Sequence, residues 1–220
     1  MEEFENKMPH DYYGTKVVEK FSEHDLDKID YETQFYFRNP KIKYKLSLDH
    51  KEVIEFFIRL LKPKNFIEIG TQFGETTNQI IHLIPGDYYA VDIFIHDNMR
   101  FLSNKFQNLK LFQNSSDDFF SSQFDGKMFE MAFIDASHNY EDTFRDFMNV
   151  KDFIVPDGII FFHDTYPANL DETHPDLSGD CYKLPEKIRL DYNMEFEIIT
   201  LPVSPGLSIA RKIKRNIGDE

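Results

Sequence analysis

From about residue 48 onward, short apolar runs alternate with stretches of helical periodicity. Leu48 to Leu61 places Val53, Ile54, Phe57, Ile58 and Leu61 at helical spacing, with Asp49 in the N-cap position and Pro63 as the stop. Phe66 to Ile69 reads as a short buried strand running into Gly70, and Gly74 to Leu83 as a helix closed by Pro85-Gly86. The alternation continues with a strand over Tyr88 to Ile93, a helix over Asn98 to Phe106 and a strand over Leu109 to Phe112. A short helix over Ser116 to Ser121 precedes a fourth strand, Met131 to Ile134. Tyr140 to Phe153 carries Phe144, Phe147, Met148 and Val150 on one side of a helix, and Pro156-Asp157-Gly158 separates it from a fifth strand, Ile159 to Phe162. After a long polar segment, Thr165 to Tyr182, come a helix (Leu184 to Leu190) and two closing strands, Phe196 to Thr200 and Leu207 to Ala210, paired most simply as a hairpin.

Apolar strands of four to six residues separated by helices are the pattern of a sheet buried on both faces. The predicted fold is α/β: a Rossmann-like, doubly wound sheet of seven strands, mostly parallel, with an antiparallel edge hairpin. Residues 1–45 stand apart as an opening extension, polar and sprinkled with aromatics (Tyr12, Tyr13, Tyr31, Phe35 to Phe37) and broken at Pro40. It is expected to pack on the domain or line an oligomer interface, the domain itself being 46–220. A homo-oligomer is left open.

Charge narrows the function. A formal net charge of −14 argues against a nucleic-acid partner, because phosphate neutralisation needs a basic surface. The one cysteine, Cys181, excludes an internal disulfide and a cysteine-rich zinc site. No apolar run approaches the roughly 20 residues that cross a bilayer, and the N-terminus is acidic, so the expectation is a cytoplasmic protein without a membrane partner.

Two acids end two of the predicted strands. Asp135 follows Met131 to Ile134, and Asp164 follows the apolar run that ends at Phe162, with His138 and His163 close to them in sequence. Open α/β sheets bind ligands outside the carboxyl ends of their strands, so this pairing is a candidate metal and acid/base site. Upstream, Gly70 and Gly74 punctuate the first strand-to-helix turn, and Asp92 ends the second strand. The Gly-x-x-x-Gly spacing departs from the dinucleotide Gly-x-Gly-x-x-Gly and favours a ligand without a pyrophosphate. An acid in the place of Asp92 can accept hydrogen bonds from ribose hydroxyls, though alone it reads equally as a loop acid.

Glu68-Ile69-Gly70-Thr71-Gln72-Phe73-Gly74, Val91-Asp92 and Gln113-Asn114-Ser115-Ser116 together resemble the motifs of class I S-adenosylmethionine-dependent methyltransferases, over roughly residues 46–210. The resemblance implies that Glu68 and the backbone at Gly70 and Gly74 face the methionine part of the cofactor. It further implies that Asp92 holds the ribose, that Ser116 helps place the adenine, and that Asp135 borders the cofactor. Ser115 and Ser116 also read as a helix N-cap pair.

The block from Phe133 to Asp142, followed by Pro156 to Asp164, is similar to a narrower branch of metal-dependent macrolide-sugar and polysaccharide-locus O-methyltransferases. That branch implies a divalent metal on Asp135, His163 and Asp164, and His138 as the base, where catechol-type relatives carry a lysine. It implies a sugar acceptor, most plausibly a sugar nucleotide, in surface-polysaccharide or natural-product biosynthesis. A histidine among the ligands shifts the expected metal from Mg toward Fe or Mn; if His163 instead packs within the sheet, Mg is expected. Alternatives are a small-molecule N-methyltransferase and an NAD-dependent Rossmann oxidoreductase. In Thr165–Tyr182, the residues His174, Asp176, Asp180 and Tyr182 are weaker candidates on a segment that reads as a lid over the substrate or as disorder.

Overall fold

The computed structural model describes residues 49–203 and 205–214 in full, together with the backbone of 34–36 and 43–45. Most of the N-terminal extension therefore lies outside the described residues; what is described of it is an antiparallel ladder of β1 (Gln34–Tyr36) and β2 (Lys43–Lys45).

The main sheet has seven strands: β3 (Phe66–Ile69), β4 (Tyr88–Asp92), β5 (Leu109–Gln113), β6 (Phe129–Ile134), β7 (Ile154–His163), β8 (Phe196–Leu201) and β9 (Leu207–Lys212). Their order is β5-β4-β3-β6-β7-β9-β8. Strands β3 to β7 pair in parallel, and β9 is antiparallel to both β7 and β8. The predicted fold class and edge hairpin are both present. The strand order reverses at β3 and β6, where the chain winds first to one side and then to the other, the place outside the carboxyl ends where open α/β sheets bind ligands.

Adjacent residues of a strand point to opposite faces, and both faces are covered. Phe66, Tyr88, Phe133 and Phe161 pack with Val53, Ile54 and Ile58 of helix α1 (His50–Leu61) and with Met99 and Leu102 of α3 (Asp97–Lys105). Short α2 (Glu75–Ile80) lies on this same face. Ile67, Tyr89, Ala132 and Phe162 face the other way, against Phe147 and Val150 of α5 (Tyr140–Val150) and Ile188 of α6 (Leu184–Asp191). Between β5 and β6, α4 (Ser116–Asp118) is a single turn that continues as a π-helical turn through Gln123. Helix α1 begins in a capping box: the Asp49 side chain accepts from the Lys51 amide, and the Asp49 amide donates to Glu52. No helix among the described residues is long and apolar enough to cross a membrane.

One boundary differs from the sequence pattern. Pro156-Asp157-Gly158 was expected to precede the fifth strand, but β7 starts at Ile154 and carries these residues within it. The pairing with β6 shifts register between Phe129 and Met131, and Asp157 takes a left-handed φ of 65°. A bulge accommodates the proline, because β9 begins to pair with β7 only at Ile159.

Candidate active site

The turn between β3 and α2 is held by short-range necessity. Gly70 sits at φ 86°, and a Cβ there would lie 2.4 Å from Ala136 Cα and 2.4 Å from the Asp135 carbonyl oxygen. The backbones leaving β3 and β6 thus touch at Gly70, which is where a side chain has no room. Gly70→Ala is expected to lower the melting temperature by several degrees, since it combines an unfavourable φ with backbone overlap. A melt within a degree of the parent would show that the turn relaxes freely.

Asp92, at the end of β4, ties this turn together. Its Oδ2 accepts from the Thr71 amide at 2.7 Å, the Gln72 amide at 3.0 Å and the Thr71 hydroxyl at 3.2 Å, while Oδ1 accepts from the Phe94 amide at 3.0 Å. These bonds place an acid directly under the glycine turn, as the sequence spacing suggested.

Two further motif residues are turned to protein partners. Glu68 shares a face with Phe66, is 1% exposed, and accepts from the Thr77 hydroxyl and from the Tyr88 hydroxyl, the latter at 2.6 Å. Burial pushes its carboxyl up to about 8, against the opposing effect of those two hydrogen bonds. Ser116 is buried; its hydroxyl donates to Asp146 and receives the Asn149 amide at 3.0 Å, so it faces α5, while Ser115 is the N-cap of α4. In this state neither Glu68 nor Ser116 presents its side chain to an open crevice.

A second group of predicted site residues meets at the ends of β6 and β7. His163 points to the same face as Phe161, and its Nδ1 lies 3.0 Å from Asp135 Oδ1 and 3.5 Å from Asp164 Oδ1. Asp164, buried at 4% exposure, takes a left-handed φ of 59°, a conformation rare outside glycine. Its other oxygen meets Nδ1 of half-exposed His138 at 2.8 Å. One carboxylate thus joins both histidines, and Asp135, His138, His163 and Asp164 come together as a single cluster.

The electrostatics follow from this packing. Burial by itself would raise the Asp164 carboxyl, but the hydrogen bonds and charges of His138 and His163 outweigh it and hold the group well below the usual carboxylate range. Burial lowers His163, yet Asp135 and Asp164 raise it further, to about 10. His138 is raised chiefly by its bond to Asp164. With Nδ1 engaged on Asp164, His138 keeps Nε2 as its proton-accepting atom.

The donors fit a divalent cation. One atom each from Asp135, His163 and Asp164 falls within 4.8 Å of the others. Neighbouring donors at right angles around an ion at about 2.1 Å lie about 3 Å apart, close to the spacing of His163 Nδ1 from the two acids. His163 Nε2 is buried without a hydrogen-bond partner among the described residues, so Nδ1, facing the acids, is the donor atom.

The sequence pattern did not reveal His50. At the first turn of α1, its Nδ1 is 2.8 Å from Asp49 Oδ1, and its ring packs at 4.2 Å between centroids against His163 and at 5.7 Å against Phe133. Only the fold brings α1 across to β7, and no local motif marks a histidine that follows an N-cap.

A family described as a methyltransferase domain matches residues 67–165, a span running from β3 to one residue past Asp164. Solved structures share the architecture. A Staphylococcus aureus protein assigned as a caffeoyl-CoA O-methyltransferase is 17% identical, over 75% of this chain and 84% of that chain, with a TM-score of 0.60. The O-methyltransferase TomG from Streptomyces achromogenes, solved with SAM, is 16% identical over 77% of this chain and 83% of its own, with a TM-score of 0.56. The SAH-bound methyltransferase PaMTH1 from Podospora anserina is 16% identical over 91% and 100%, with a TM-score of 0.58. No curated protein matches the sequence. The fold is that of the Rossmann-like methyltransferases, and residues 67–165 are similar to a methyltransferase-domain family.

Proposed function

We propose that this protein is an S-adenosylmethionine-dependent O-methyltransferase that uses a divalent metal and methylates a hydroxyl of a nucleotide-activated sugar. The observation that carries the mechanism is the convergence of Asp135, His163, Asp164 and His138 at the carboxyl ends of β6 and β7. The sugar itself rests on the resemblance of the sequence around Asp135–Asp142 and His163–Asp164, and the presence of S-adenosylmethionine or its product in neighbours of this fold supports the cofactor.

A sugar hydroxyl is a poor nucleophile because its pKa lies far above neutrality. A divalent cation on Asp135, His163 and Asp164 would lower that pKa and orient the oxygen. His138, fixed through Nδ1 by Asp164, takes the hydroxyl proton on Nε2. S-adenosylmethionine bound at the glycine turn and Asp92 would supply the methyl group from its sulfonium, which becomes a neutral thioether as the acceptor oxygen gains the methyl. On the cofactor side, the turn through Gly70 and Gly74, packed closely on Ala136 and Met99, would present its backbone to the cofactor, with Asp135 alongside. Asp92 would hold a ribose hydroxyl in place of the Thr71 hydroxyl, the longest of its four bonds. Glu68 shapes the turn from beneath, through Thr77 and Tyr88, and Ser116 braces the adenine side through α5.

The test uses metal-stripped protein, labelled S-adenosylmethionine and a panel of sugar nucleotides, resupplied in turn with Mg, Mn or Fe. Turnover is expected to vanish on chelation and return with metal, Mn or Fe exceeding Mg because of the imidazole donor. His138→Ala is expected to lose at least about 100-fold in kcat while binding S-adenosylhomocysteine as the parent does. Turnover that survives thorough chelation would remove the metal, and undiminished turnover of His138→Ala would remove the base.

A further inference from the structure

The segment Thr165–Tyr182 is anchored at its far end to the turn that carries His138. Gly179 has φ 55°, and a Cβ there would fall 1.8 Å from the His138 carbonyl oxygen. Next to it, the Asp180 amide donates to that same carbonyl at 3.1 Å. The Asp180 carboxylate reaches over the turn, and its Oδ1 accepts from the Tyr140 amide at 2.6 Å. Cys181 then lays its sulfur 3.3 Å from the Ser137 carbonyl and 3.2 Å from the Thr143 hydroxyl. Contacts from three consecutive residues thus bracket His138 on both sides of its own peptide. The middle of the segment is different: Leu170 and Leu177 are exposed and belong to no core cluster.

We infer that Asp180, admitted by Gly179, is a positioning residue for His138, so that the acceptor-side segment and the base form one mechanical unit. The role rests on reading His138 as the base. Without this clamp, the His138 backbone has a solvent-facing turn on one side and the first turn of α5 on the other. Among the described residues the ring is fixed at Nδ1 by Asp164 alone, and a single hydrogen bond leaves it free to swing about its side-chain torsions. The carbonyl and amide bonds to Asp180 set the peptide from which the ring projects. The ion pair between Asp180 and Lys183, 2.8 Å apart, is a separate contact on the outer oxygen, Oδ2. The clamp works through hydrogen bonding by Oδ1, and the charge is incidental.

Three variants separate these contributions. Asp180→Asn keeps an oxygen for the Tyr140 amide and gives up the ion pair; Asp180→Ala gives up both; Lys183→Ala gives up only the ion pair. Long-range 15N spectra, with the His138 signal assigned by its loss in His138→Ala, are expected to show the ring displaced in Asp180→Ala and parent-like in the other two. In methyl transfer to the sugar-nucleotide panel, Asp180→Ala is expected to lose about 10- to 100-fold in kcat, as small misplacements of catalytic groups do. S-adenosylhomocysteine affinity by calorimetry is expected to stay unchanged, and Asp180→Asn to recover most of the rate. If Asp180→Ala lacks a cooperative melt, Gly179→Ala carries the same spectral test, because its Cβ must push Asp180 off the turn. Parent-like His138 signals in Asp180→Ala, or an equal loss in Lys183→Ala, would overturn the inference. Retained turnover in His138→Ala would instead overturn the base assignment, while the ring signals would still report whether the clamp exists.

Discussion

Asp164→Ala is expected to reduce methyl transfer by at least about 100-fold and to abolish Mn(II) binding, more than any other single substitution in the cluster. The magnitude follows from the number of tasks on one side chain. Asp164 holds Nδ1 of His138 at 2.8 Å and lies 3.5 Å from Nδ1 of His163. On the proposed mechanism, losing it frees the ring that would take the proton, and general-base catalysis of this kind contributes about 10² to 10⁴ in rate. It also removes one of the two carboxylates that face His163, leaving a buried imidazole with half its charge compensation. Asp164→Asn is the informative contrast: the amide oxygen can still accept from His138 Nδ1, so part of the base function survives while the metal donor is weakened. Affinity for S-adenosylhomocysteine, which the proposed function places on the glycine turn and Asp92, is expected to be unchanged in both. Turnover of Asp164→Ala within threefold of the parent, or Mn(II) affinity equal to the parent by electron paramagnetic resonance, would rule out this arrangement.

The backbone at this position supports the same view. A buried, non-glycine residue at φ 59° is costly, and such conformations persist where the surroundings over-determine them. Here the left-handed turn at the end of β7 swings the Asp164 carboxylate back to face β6, within reach of both histidines. An extended residue in its place would continue along the strand and miss them.

Much of this was legible in the chain, for physical reasons that differ from residue to residue. Ile159 to Phe162 is apolar without interruption and Phe66 to Ile69 is broken only by Glu68, which fits strands covered on both faces, and the strand-end acids Asp92, Asp135 and Asp164 follow from where such runs stop. The closing hairpin was equally plain, because two apolar runs flank a Pro-Gly turn with no helix between them. What the pattern left open were properties set by long-range packing. His163 could have packed within the sheet or faced the acids, and the choice was made by the phase of β7, which places it on the α1 face with Phe161. Ser116 kept two readings because a hydroxyl at a helix start can cap or bind; in the fold it bonds to Asp146 and Asn149, thirty or more residues away. His50 carried no signal at all. The β7 bulge was hidden because Pro-Asp-Gly is as good a turn as it is a bulge, and only the end of the β9 pairing, at Arg211 opposite Ile159, decides between them.

A second large effect is expected from pH, through Glu68. Burial holds this carboxyl up to about 8 in the folded protein, against 4.5 for the unperturbed group. Between those values the unfolded chain has released the proton and the folded chain retains it, so the folded state binds more protons and stability falls as pH rises. Below about 4.5 both states are protonated, and the contribution is flat. Above about 8 both are ionised, and the full cost of a buried carboxylate has been incurred. At 1.36 kcal/mol per pKa unit this difference is on the order of 5 kcal/mol across the window, a large share of an ordinary domain's stability. Glu68→Gln removes the ionisation while retaining an oxygen to accept from Thr77 or Tyr88. Its urea midpoint is expected to lie well above the parent's at pH 8 and to converge on it near pH 5. Other groups titrate in the same range: His163, raised to about 10, loses its contribution as pH climbs from 6.5, and Asp146, raised by burial to about 6, does so at the acid end. The difference between parent and Glu68→Gln at each pH cancels both and isolates Glu68. Midpoints that run parallel from pH 5 to pH 8 would mean that the carboxyl ionises without cost and that water reaches it beside Thr77 and Tyr88.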